Sequence, residues 1–203
     1  MIGYKNEVTV VGKVRKIKTG GSGNTRLELT TKHPTGESVT VHFTRKGDVP
    51  EFVSVGQVIS VQGYIDQFMY VANENSKKSQ QRFMAESITL PQTLLASVLG
   101  DGYEGAYNVP LSERAVLAGE IEYCKIEGDW RTYMIKTKVG GATKNIMVTF
   151  EKTQNKPHDF IFEKGDHIVC ICNIATKIND SNKKEYNNVK IIDAKKLDKG
   201  LFE

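Results

Sequence analysis

Cationic and aromatic side chains recur at strand spacing along the first half of this chain. Lys13 and Arg15 alternate with Val8, Val10 and Val14, so on an extended strand they project away from the apolar face. Lys16, Lys18 and Arg26 flank the turn Gly20-Gly21-Ser22-Gly23-Asn24. Arg45 and Lys46 end a candidate third strand, and Lys77, Lys78 and Arg82 occupy a polar loop before a fifth. Tyr64, Phe68 and Tyr70 share one parity, opposite to Ile59, Val61 and Ile65, which already supply an inward face. That leaves Phe68 and Tyr70 for the surface, with Tyr64 divided between surface and interior. In the second half Trp130, the single tryptophan, stands beside Arg131 and Tyr133, and Lys177, Lys183, Lys184 and Tyr186 gather in an outer loop. Flat rings on which bases stack, with cations tracking phosphates, are the ingredients of single-strand recognition. The plainer readings are that the lysines solvate a surface and that the rings, Trp130 included, fill cores.

The residues that would carry catalysis are not arranged for it. His33, His42, His158 and His167 are scattered, without metal-ligand spacing. The glycine-rich turn at residues 20–24 lacks the lysine and following helix of a phosphate loop, and the carboxylates lie mostly in charged, turn-rich stretches. No catalytic residue, no metal and no cofactor are therefore expected. Cys170 and Cys172 would share one face of an apolar strand; with Cys124 they read as buried structural thiols, lacking further ligands at metal spacing.

The elements that must position these residues emerge from an internal repeat. Val8–Val14 lines up with residues 115–121, and Val39–Phe43 with Ile146–Phe150, both at an offset of 107. Val58–Val61 meets Ile168–Ile171 at an offset of 110, and Ser76-Lys77-Lys78 meets Asn182-Lys183-Lys184 at 106. Each unit reads as five strands: near 7–18, 25–31, 38–44, 57–72 and 82–89, then near 114–126, 131–139, 144–151, 167–178 and 187–194. The first carries a central glycine, where a strand bends or bulges. A helical turn fits between Asp48 and Val55. This is the plan of an OB-fold. The expected architecture is all-β: two tandem five-stranded OB-fold barrels with a short helical linker. The domains would be 1–92 and 113–203, joined by 93–112, where Leu94, Leu95, Val98 and Leu99 have helical spacing.

Charge is mildly favourable to a polyanion, with 28 Lys and Arg against 24 Asp and Glu. Residues 1–92 hold 12 basic and 8 acidic side chains, and residues 113–203 hold 16 and 14, so the first unit is the more cationic per ionisable group. The positions matching Lys13 and Arg15 in the second unit are Glu120 and Glu122, which would repel phosphates there. Neither a signal peptide nor an apolar membrane span is seen, which points to a soluble intracellular protein.

The first unit resembles the bacterial and phage single-stranded-DNA-binding protein family. The resemblance rests on Val8–Val14, Val55–Ile65 and the closing strand Arg82–Ile88; it covers residues 6–90 well and 113–197 only through the repeat. It implies a sequence-tolerant, non-catalytic binder of unpaired DNA acting in replication, recombination or transfer. It also places Tyr70 where the family sets a DNA-stacking aromatic and Phe43 at an aromatic position of the third strand, and implies, as partners, a second copy of the chain or replication proteins. The chain departs from the family in having no tryptophan in the first unit. It also lacks a low-complexity linker with an acidic tip, through which the family recruits partners. Two units in one chain suggest a phage or mobile element. RNA is the alternative ligand, and a protein adaptor the alternative role.

Overall fold

Alternation of apolar and polar residues dictates the first strand. In β1 (Lys5–Thr19) Val8, Val10 and Val14 are buried, while Thr9, Lys13 and Arg15 are exposed. The structure, a computed structural model, describes residues 3–73, 76–91, 111–152 and 161–201, without the side chains of residues 69–79 and 201. Four more strands follow: β2 (Asn24–Lys32), β3 (Ser38–Lys46), β4 (Val58–Asn73) and β5 (Ser76–Thr89). β1 pairs with both β2 and β4, and β3 closes on β5 in parallel through Phe43 and Phe83, giving the closed order β1-β2-β3-β5-β4-β1. The second barrel repeats it with β6 (Ser112–Glu127), β7 (Trp130–Val139), β8 (Ala142–Glu151), β9 (His167–Ile178) and β10 (Glu185–Leu197). Two five-stranded OB-type barrels are the result.

Each barrel encloses its own apolar set. Leu27, Leu29, Val41, Phe43, Ile59, Ile65 and Phe83 fill the first, with the Phe43 and Phe83 rings 6.0 Å apart. Leu117, Ile121, Ile135, Ile146, Val148, Phe150 and Ile174 fill the second. Cys170 and Cys172 lie there too, their sulfurs 3.7 Å apart, and burial pushes the Cys172 thiol well up.

The barrels are not beads on a linker. β1 and β6 pair antiparallel from Lys5↔Ala118 to Val11↔Ser112, so all ten strands form one continuous sheet. Val8 lies opposite Ala115, its own counterpart in the repeat, so a local two-fold axis passes between them. A second pair of counterparts meets on the axis, where the Asn187 side-chain amide donates to the Gln81 carbonyl at 2.9 Å. Asn6 and Glu113, another such pair, perform the same task. Asn6 Oδ1 accepts the Ile65 N–H at 2.8 Å, and Glu113 Oε2 accepts the Ile174 N–H at 2.6 Å. Glu113 also takes His33 across the junction, and burial pushes its carboxyl up against the opposing pull of the Ile174 N–H and His33.

Four expectations need correction. The short helical linker is not the joint: among the described residues only Pro91 and the 3-10 turn Lys199–Leu201 are helical, and strand pairing unites the barrels. Leu94, Leu95, Val98 and Leu99 lie outside the described residues. Between Asp48 and Val55 the chain makes turns without a helical one. The polar loop before the fifth strand is itself strand, since β5 starts at Ser76 and extends the β4–β5 hairpin into a long arm. Finally, the β1 and β6 bulges fall at Val14/Lys16 and Ile121/Tyr123, beyond the glycines. Gly119 instead permits close approach, because a Cβ there would overlap the Lys136 carbonyl oxygen.

Candidate nucleic-acid interface

The β4–β5 arm lies across the second barrel, and a buried carboxylate explains how it is held. Tyr64, Asp66 and Phe68 face outward on β4, opposite to Ile65. Asp66 Oδ1 accepts from Lys144 Nζ of β8 at 2.7 Å, and Oδ2 accepts from Arg82 Nη2 and Nε at 3.0 and 3.2 Å. Burial pushes this carboxyl up, but Lys144 and Arg82 together outweigh it and hold it below its ordinary value. Gln81 fastens the same arm by donating to the Met147 carbonyl at 3.0 Å and accepting its N–H at 2.6 Å. With Asp66 fixing its guanidinium, Arg82 lies over the Phe68 ring, 4.4 Å from the centroid, in cation–π contact.

Phe68 and Arg82 form one wall of a cleft of about 200 Å³ between the barrels, and Tyr186 and Asn187 of β10 form another. Tyr186 is 43% exposed. At the floor Arg26 of β2 donates to His42 of β3 and to Glu185 of β10, and His42 Nδ1 lies 3.4 Å from the same Glu185 oxygen. Burial and then the Arg26 charge push His42 below its ordinary value, and its Nδ1 accepts from Arg26, whose guanidinium can only donate. Burial pushes Glu185 up, yet Arg26 and His42 hold it down on balance. Thr176 locks the two barrels beneath, its hydroxyl accepting the His42 N–H at 2.9 Å and donating to Asn187 Oδ1 at 2.7 Å.

The cleft thus gathers Arg26, Phe68, Arg82 and Tyr186 from both halves of the chain. Lys18 adjoins it as the strand partner of Arg26. Lys13, Arg15 and Lys46 are exposed, Lys13 opposite Thr30 along β1–β2. Arg45 is engaged structurally, donating to the Asp48 and Glu86 carbonyls at 2.9 Å each. Tyr64 is half-buried, opposite Met84. Tyr70 pairs with Lys78, and Val71 with Lys77, on the backbone of the arm, but the side chains of Tyr70, Lys77 and Lys78 lie outside the described residues.

In the second barrel, Lys177 lines a separate cleft of about 310 Å³ together with Lys190 and His33. Lys183 and Lys184 are exposed in the turn before β10, Lys183 with a φ of 55° and 3.8 Å from Asp180. Trp130 is 47% exposed, with Lys190 Nζ 5.4 Å from its ring centroid. Two expected site residues are corrected. The alternation of β7 turns Arg131 and Tyr133 inward, where they are 7% and 1% exposed, and Tyr133 packs edge-on against Phe162 at 5.6 Å. Asp66, His42 and Glu185 escaped the sequence reading. Asp66 alone left a trace there, as an acid between two aromatic residues of the same strand face.

Among the described residues no three His, Cys, Asp or Glu side chains are grouped to hold a metal ion, and no helix is long and apolar enough to cross a membrane. No protein-family model and no curated protein matches the sequence. Solved structures do match the fold. The wild-type single-stranded DNA binding protein from Thermus aquaticus is similar over 98% of this chain and 96% of its own, at 16% identity and a TM-score of 0.60. A deletion mutant of that protein gives 98%, 97%, 14% and 0.61. The whole two-barrel arrangement, not one barrel, is what these structures share with this chain.

Proposed function

We propose that this chain binds single-stranded DNA without strong sequence preference, using the inter-barrel cleft as the centre of its binding surface. One observation carries the reading. Phe68 beneath Arg82, Tyr186 on the facing barrel and Arg26 at the floor bring stacking rings and cations onto one solvent-open surface. A base stacked on such a ring contributes about 1–3 kcal/mol, and every base has a π-face, which makes the grip tolerant of sequence. Exposed Lys18, Lys13 and Arg15 extend the cationic track along β1, and Trp130 on Lys190 offers a further platform on the second barrel. The shared architecture with a Thermus aquaticus protein named for single-stranded DNA binding supports the same reading. The role is non-catalytic, in replication, recombination or transfer, wherever DNA is left unpaired.

Titration with oligo-dT at several salt concentrations tests it, read through the single, half-exposed tryptophan. Affinity should fall as salt rises, with a log–log slope of about −0.7 per phosphate neutralised. No binding at low salt, or an affinity indifferent to salt, would sink the proposal and leave the adaptor role. A matched RNA oligomer that competes better than the DNA would reassign the ligand, because contacts to the 2′-hydroxyl distinguish the two.

A further inference from the structure

We infer that the Arg26–His42 corner of the cleft is a phosphate-oxygen site that Glu185 occupies in the unliganded protein, so that nucleic acid enters by displacing this carboxylate. The inference rests on the binding role proposed above and adds the group that sets its strength. Arg26 of the first barrel donates to a carboxylate oxygen of the second, and His42 on the neighbouring strand accepts from the same guanidinium nitrogen and so holds it in place. A carboxylate oxygen there stands in for a phosphodiester oxygen, which has the same charge and accepts from the same guanidinium.

The contact is built to yield. Its two partners are 37% and 38% exposed at the side chain, and ion pairs so open to water are weakly held. It also uses one edge of the guanidinium only: Nη2 is engaged, whereas Nε is buried without an acceptor. Guanidinium pairs with carboxylate or phosphate are strongest when two parallel donors are used. Release of the side chain need not disturb the strand, because the Glu185 backbone is held separately. Its residue pairs with Ile178, and its carbonyl accepts from Gln80 Nε2 at 3.3 Å. Tyr186 follows it directly, so a phosphate at the corner lies one residue from a stacking ring.

The test compares the full-length wild type with Glu185→Gln, Arg26→Ala, the double variant and Glu7→Gln, all titrated with oligo-dT over a salt series. Glu7 is an exposed β1 acid paired with Lys5 at 3.6 Å, outside the cleft, and controls for net charge. Glu185→Gln should bind about three- to ten-fold more tightly at low salt, with a slope steeper by about 0.7. Glu7→Gln should stay close to wild type, and the gain should vanish when Arg26→Ala is added. Glu185→Ala, which leaves no amide to replace the carboxylate, should act in the same direction. An unchanged affinity in Glu185→Gln overturns the inference, as does an equal gain in Glu7→Gln or a gain that survives the loss of Arg26. Failure of every protein to bind overturns the underlying binding role instead.

Discussion

Asp66 sits between Tyr64 and Phe68 on the outer face of β4, and its two oxygens hold cations from both barrels. Replacing it with Asn would leave Lys144 and Arg82 without their counter-charge at a nearly buried site, at a cost of about 1–3 kcal/mol. The pH dependence has a definite sign. A carboxyl held below its ordinary 3.8 in the folded protein contributes stability above that pH and loses it as the pH falls through the lower folded value. Urea unfolding between pH 6 and pH 3 should therefore show a steeper acid loss in wild type than in Asp66→Asn; parallel curves would refute the assignment. Only part of this residue-scale picture was legible beforehand. The parity of Phe68 is local and survives in the structure, but Lys144, the cross-barrel partner of Asp66, lies 78 positions away. Nothing in a single sequence encodes that distance. Arg131 misled for a related reason: an arginine beside a tryptophan looks like surface, and only the phase of β7 turns it inward.

At the scale of elements, strands with an apolar face were easy to place and polar ones were not. The second barrel's β9 spans His167–Ile178, matching the expected 167–178, because its buried side is continuously apolar. By contrast, β5 begins with Ser-Lys-Lys-Ser-Gln-Gln, residues of low strand propensity that read as loop. They are strand because the paired β4 backbone satisfies them on a long arm, which demands no core of its own. The glycines taught a similar lesson. Gly12 and Gly119 are counterparts, yet a Cβ at Gly12 would meet Leu29 Cβ at 3.0 Å and the Thr30 carbonyl oxygen at 3.2 Å, whereas at Gly119 it would come within 2.0 Å of the Lys136 backbone oxygen. Both sites face atoms anchored to a paired strand, but the Gly12 contacts need a shift of only a few tenths of an ångström, whereas the Gly119 overlap must move the ladder itself. Gly119→Ala should thus cost about 3 kcal/mol and Gly12→Ala about 1 kcal/mol or less. Thermal unfolding of the two variants ranks them, and equal shifts would contradict the close-approach role.

For the whole molecule, the offset of 107 residues that relates the two units acquires a physical meaning. Val8 and Ala115 are not only equivalent but face each other across the β1–β6 junction. Equivalents can oppose each other only on a two-fold axis, so one chain holds the symmetry that two copies of a single barrel would otherwise supply. The repeat itself was readable from sequence; that the two units meet through equivalent strands was not, because similarity at a fixed offset carries no information on docking. A consequence follows for the first barrel alone. Without β6, the β1 residues from Lys5 to Val11 form an unpaired, alternating strand edge, which is a template for pairing with another chain. Applying the offset to the observed register places Val8 opposite Val8 of a second copy and Lys5 opposite Val11. A fragment ending at residue 91 should accordingly sediment as a dimer, with mass rising toward twice the monomer as concentration increases. A folded monomer at every concentration would mean that cross-barrel groups such as His33–Glu113 and Asp66–Lys144, rather than the strand edge, hold the two units together.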